Sequence, residues 1–120
     1  MAELPSGLGL YQELDGIIAD LEQNVEDTRL QAIDEAQRNY DWEVAYAVKV
    51  AELRFEQNVP ATIVQTLAKG DPEVAGLELK RKVSEANYVA LNRRHFVLRD
   101  KKEKVENQIA REWSRPSNAQ

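Results

Sequence analysis

The middle of the chain constrains the fold more than any other stretch. Residues 57–68, QNVPATIVQTLA, carry no charge in a 120-residue sequence that is 31% charged. Pro60 stands near the start of this stretch and Gly70-Asp71-Pro72 follows its end. A residue preceding proline is biased away from helical backbone, so a helix arriving from the N-terminal side is expected to break at Val59. Gly70 is suited to end a short helix in the left-handed conformation. Asp71 is suited to cap the next helix, Pro72 to open it, and Glu73 to favour its positive end. The pattern predicts helices over 8–57, 60–69 and 72–113. Residues 1–115 then form a single domain and 116–120 a disordered tail.

The flanking segments support this division. Glycine is scarce, prolines number four, and Ala, Leu, Glu, Lys, Gln and Arg dominate, a helix-forming composition. In the first segment Tyr11, Leu14, Ile18, Leu21, Val25, Thr28 and Ala32 recur at alternating spacings of three and four, the seam of a coiled coil. Further on, Ala36, Tyr40, Val44, Ala47, Ala51 and Phe55 form a stripe, while Trp42, Tyr46, Val50 and Leu53 lie off it. A helix apolar on more than one side needs more than one neighbour. In the last segment Leu77, Leu91, Leu98 and Val105 alternate with Tyr88, His95 and Ile109, and Ser84 and Lys102 interrupt the row.

Charge supports pairing of the two halves. Residues 1–59 hold 13 acidic and 4 basic side chains, and residues 60–120 hold 8 acidic and 12 basic. An antiparallel hairpin sets the acidic 13–35 region beside the basic 93–111 region, and the apolar 36–55 region beside 74–93. The expected fold is therefore all-α: a long, coiled-coil-like antiparallel hairpin with a short helix at its tip. A lone hairpin buries only a narrow seam, so assembly into an oligomeric bundle, a homo-oligomer, is expected.

Chemistry is harder to find. There is no cysteine, hence no disulfide, thiol nucleophile or cysteine-bound metal. His95 is the single histidine, and Asn92 occupies the position where a helical Glu-x-x-His metal motif needs glutamate. No calcium loop, dinucleotide loop or phosphate loop is present. No catalytic residue, metal or cofactor is assigned, and the chain is read as a non-enzyme. The longest apolar run, VAYAV, is far short of a membrane span. The N-terminal decapeptide lacks the basic and apolar regions of a secretion signal. A cytoplasmic protein without membrane contact is expected.

Two surfaces remain as candidates. The uncharged tip, Val59, Ile63, Val64 and Leu67, is expected to pack on Tyr40, Trp42, Tyr46 and Tyr88, within one chain or between chains. The segment RRHFVLRDKKEK offers Arg93, Arg94, Arg99, Lys101, Lys102 and Lys104 for nucleic-acid phosphates. Its favoured reading is a solvated face paired with the acidic first helix. Left unpaired, that acidic helix would instead suit an inhibitor that imitates a phosphate backbone and binds a host defence or DNA-processing protein.

The stretch VPATIVQTLAKGDPEVAGLELKRKVSEANYVAL and the closing IAREW resemble a family of small α-helical proteins encoded by tailed phages and prophages, mostly of Gram-positive bacteria. The resemblance covers about residues 40–113. It implies a helical hairpin and a non-enzymatic accessory role in phage DNA metabolism, in recombination or replication, with a phage or host protein as partner. It brings no catalytic residues to carry over.

Overall fold

A computed structural model describes residues 7–114. The tail expected over 116–120 lies outside the described residues. All secondary structure among the described residues is helical: α1, Gly7–Ala51; a π-helical turn, Glu52–Glu56; α2, Ala61–Gly70; and α3, Pro72–Ser114. The contacts of the chain divide it into two compact units. The first comprises Met1–Thr28 with Leu91–Gln120, the second Arg29–Ala90. In each unit a segment of α1 pairs antiparallel with a segment of α3, as in a helical hairpin.

In the first unit Leu10, Ile17 and Val105 are buried together, with Leu14, Leu21 and Ile109 packed against them. The Trp113 indole N–H donates to the Tyr11 hydroxyl at 2.9 Å, and Asn24 Nδ2 donates to the Leu91 carbonyl at 3.1 Å. The seam therefore differs from the expected one. Leu14, Leu21 and Thr28 face inward as anticipated, but Leu10, Ile17 and Asn24 fill the alternate positions. Tyr11, Ile18 and Val25, assigned to the seam, are exposed. The cause is that this stretch of α1 carries two adjacent apolar rows, and one facing helix covers only one of them. The buried row continues into Asn24, 2% exposed, whose amide is tied to α3 by its hydrogen bond.

In the second unit Leu53, Val64 and Ala68 form the buried cluster, with Tyr46, Val50 and Val59 against it. Val74 of α3 is also buried in this unit, and farther along the α1–α3 contact is partly polar. Gln31 Nε2 donates to the Ser84 carbonyl at 3.0 Å and to its hydroxyl at 2.8 Å, and the Ser84 hydroxyl donates to Asp34 Oδ2 at 2.7 Å. Ser84, expected to interrupt the seam, is buried and joins the two helices.

The turn at the tip is built from three local devices. The last turn of the first long helix widens: the Gln57 N–H reaches the Glu52 carbonyl at 3.2 Å and the Val59 N–H the Leu53 carbonyl at 2.9 Å. Asn58 then takes φ 56°, the left-handed conformation, which asparagine tolerates better than most side chains. Arg54 Nη1 closes the turn on the Val59 carbonyl at 3.0 Å. Gly70, in contrast, does not adopt the expected left-handed conformation; no described glycine does. It is the last residue of α2, and the chain turns instead at Asp71, whose backbone is extended (φ −62°, ψ 131°). Replacing Asn58 by alanine is expected to cost up to about 1 kcal/mol, because alanine lacks the short polar side chain with which asparagine offsets the left-handed penalty, while Asn58→Gly, which removes the Cβ, is expected to be neutral or better. Urea unfolding of the two variants measures the difference.

Asp71 caps α3. Its Oδ2 accepts from the N–H groups of Glu73 (3.1 Å) and Val74 (3.3 Å), and its Oδ1 lies 3.3 Å from Lys49 Nζ. Lys49 also meets Glu52 at 3.5 Å. The Val74 N–H, and after it Lys49, hold the Asp71 carboxyl below the usual aspartate range against the opposing effect of desolvation. The bond to Asp71 in turn raises Lys49. A depressed carboxyl stabilises the fold fully above its unfolded pKa and loses that contribution as pH falls through the folded value. Asp71→Asn keeps a capping oxygen but removes the charge. Its urea midpoint is expected to fall below that of the unsubstituted chain at neutral pH. The gap should close in acid, below the usual aspartate range. A gap independent of pH would contradict this role.

Candidate interaction surfaces

Among the described residues, eight hydrophobic side chains are buried while eighteen large ones are exposed. That ratio directs attention to the surface. All six residues of the stripe Ala36, Tyr40, Val44, Ala47, Ala51 and Phe55 are exposed in the second unit. The residues off the stripe face inward: Trp42, Tyr46 and Val50 are half-buried and Leu53 is buried. Ile33 and Val48 add to the exposed side. The helix has two apolar faces, and within this unit only one of them is covered.

The candidate residues at the tip divide in the same way. Val64 is buried and Val59 half-buried against the Leu53 cluster. Ile63 and Leu67 are exposed on the other side of α2. Trp42 stacks on Tyr46 with ring centroids 5.3 Å apart, and the Arg81 guanidinium lies 4.5 Å above the Trp42 ring. Such a cation–π contact contributes about 0.5–2 kcal/mol depending on its desolvation. The Trp42 indole N–H and the Arg81 Nε–H are buried there without an acceptor. Tyr88 is half-buried beside Ala32, Glu35, Ala36 and Arg81. Tyr40 borders a groove of about 460 Å³ with Val44, Ala45, Val48, Val74 and Leu77, and Asp41, Lys49, Glu52, Asp71 and Glu73 supply its charged lining.

In the first unit Arg93, Arg94, Arg99, Lys101 and Lys104 are exposed on α3. Lys102 departs from this set: it is half-buried and meets Glu106 of its own helix at 3.3 Å. Lys101 and Lys104 share a groove with Glu13 and Asp20 of α1, so acidic and basic segments do face one another in this unit. Phe96 and Val97 are exposed among the basic residues. His95 is half-buried, lies edge-on to Phe96 at 6.0 Å, and lines a small groove with Asn24, Thr28 and Asn92.

Among the described residues no cluster of three or more metal-ligating side chains occurs, and no helix is long and apolar enough to cross a membrane. Sequence reasoning did not anticipate Arg81, the Gln31–Ser84–Asp34 network or the inward position of Asn24. Of these residues only Ser84 stood out in the sequence, as an interruption of the α3 row. No protein-family model matches the chain, and neither the curated proteins nor the solved structures gave a match.

Proposed function

We propose that this chain is a non-enzymatic helical interaction protein that works as a homo-oligomer. One observation carries the reading: the stripe from Ala36 to Phe55 is exposed on a helix whose contacts with α3 are partly polar. Apolar rows of this kind mark contact surfaces. Burial of a large aliphatic or aromatic side chain contributes roughly 1.5–3 kcal/mol. Tyr40, Val44 and Val48 together would therefore stabilise an assembly substantially. The resemblance to tailed-phage proteins supplies the setting, an adaptor or accessory factor in phage DNA metabolism acting in the host cytoplasm.

Sedimentation equilibrium at micromolar concentration tests the assembly. A mass of at least twice the 13.7 kDa chain is expected, and a monomer at every concentration would overturn the reading. Affinity capture from phage-infected cells tests the setting. Recovery of a DNA-processing protein is expected, and recovery of the chain with no such protein would overturn the adaptor role.

A further inference from the structure

We propose that the acid-rimmed groove of the second unit receives the basic ridge of the first unit of another copy, centred on Phe96 and Val97. This rests on the self-assembly reading above and gives it a specific contact. The apolar part of the groove lining is Tyr40, Val44, Val48 and Leu77. Lys49 in the groove is already neutralised by Asp71 and Glu52, which leaves Asp41 and Glu73 to give the rim its negative character.

The ridge is the chemical complement. Phe96 and Val97 are exposed side by side on α3. Arg93 and Arg99 lie one turn to either side of Phe96, and Arg94 and Lys101 one turn to either side of Val97. All four cations are exposed, and of them Lys101 also shares a groove with Glu13 and Asp20 of its own unit. An apolar pair bordered by four cations and by one carboxylate, Asp100, fits an apolar lining bordered by carboxylates, the arrangement of a dry interface centre with a charged surround in which the cations outnumber the single acid. A phosphate backbone would use the cations and leave Phe96 and Val97 in water.

The test is a charge exchange in the full chain, read by sedimentation across a concentration series. One variant reverses the rim, Asp41→Lys with Glu73→Lys. A second reverses the ridge, Arg93→Glu with Arg94→Glu. A third carries all four substitutions. Each reversal alone is expected to weaken self-association by about tenfold or more, as like charges then meet across the contact. The fourfold variant is expected to recover most of that loss.

Self-association unchanged by either reversal, or a fourfold variant no better than each pair, would overturn the proposal while leaving assembly itself standing. A monomeric unsubstituted chain would overturn the assembly reading and this contact with it. A ridge reversal that abolishes low-salt DNA binding without affecting self-association would assign the ridge to nucleic acid and also overturn the proposal. Circular dichroism checks that each variant is helical. Phe96→Ser replaces any reversal that is not, with the same weakening expected and unchanged association counting against the contact.

Discussion

Leu53→Ala is expected to lower the unfolding free energy by about 3 kcal/mol, within the range for deleting a buried leucine side chain. Leu53 is 6% exposed and meets Val64 and Ala68 of α2. Its carbonyl also accepts the Val59 N–H that closes the widened turn. The side chain thus fills the small cluster on which α2 rests, in a turn whose backbone bonds hold that side chain in place. The second unit has few other buried apolar groups with which to collapse around the cavity, so little of the loss is recovered by relaxation. Urea unfolding followed by circular dichroism measures the effect. A loss below about 1 kcal/mol, less than the removed side chain's own transfer free energy, would show that the cluster does not hold the tip.

Val44→Glu combined with Val48→Glu is expected to have the opposite profile, with little effect on helicity and a large effect on assembly. Both valines are exposed, Val48 by 59%, so a carboxylate at either position remains in water in a single chain. In an assembly that covers the stripe, two charges would enter an apolar contact. Losing two central contact residues in this way is expected to weaken self-association by roughly a hundredfold. Leu53→Ala and the valine pair therefore separate the two apolar faces of one helix. The first change should act mainly on folding, the second mainly on association. If the valine pair unfolded the chain instead, the stripe would be part of its own core.

The break points of this fold were legible because proline, glycine and aspartate act locally. Pro60 and Pro72 bound α2 on either side, and Asp71 caps α3 through bonds to residues two and three positions on. The seam of α3 was legible as well: Leu98 and Val105 are buried at their heptad positions, where apolar residues form a single dominant row. The seam of α1 was not. Tyr11, Ile18 and Val25 compete there with Leu10 and Ile17 one residue away, and spacing cannot rank two adjacent apolar rows. The winning row runs into Asn24 and Gln31, which bond to Leu91 and Ser84 far along the chain. Nothing local to α1 announces those partners.

The left-handed residue was expected at Gly70 and is found at Asn58. Asn58 follows the widened turn at Glu52–Glu56, which no residue type in ELRFE specifies, whereas α2 runs through Gly70 and the chain turns at the extended Asp71. The candidate surfaces were legible to the same degree. The stripe from Ala36 to Phe55 could be read from its spacing, but which side of the helix faced inward required the contacts of Trp42, Tyr46 and Leu53. The basic segment was evident from charge alone, whereas the half-buried position of Lys102 and its pairing with Glu106 were not.

Because the chain has no cysteine, Val48→Cys introduces one thiol of nearly equal size into the exposed stripe. The rate at which that thiol reacts with a water-soluble reagent is the most direct measure of whether the stripe is covered. Coverage by another copy predicts fast modification in dilute solution, slowing as protein concentration rises through the association range. A rate equal to that of a free peptide thiol, and unchanged at every concentration, would contradict it.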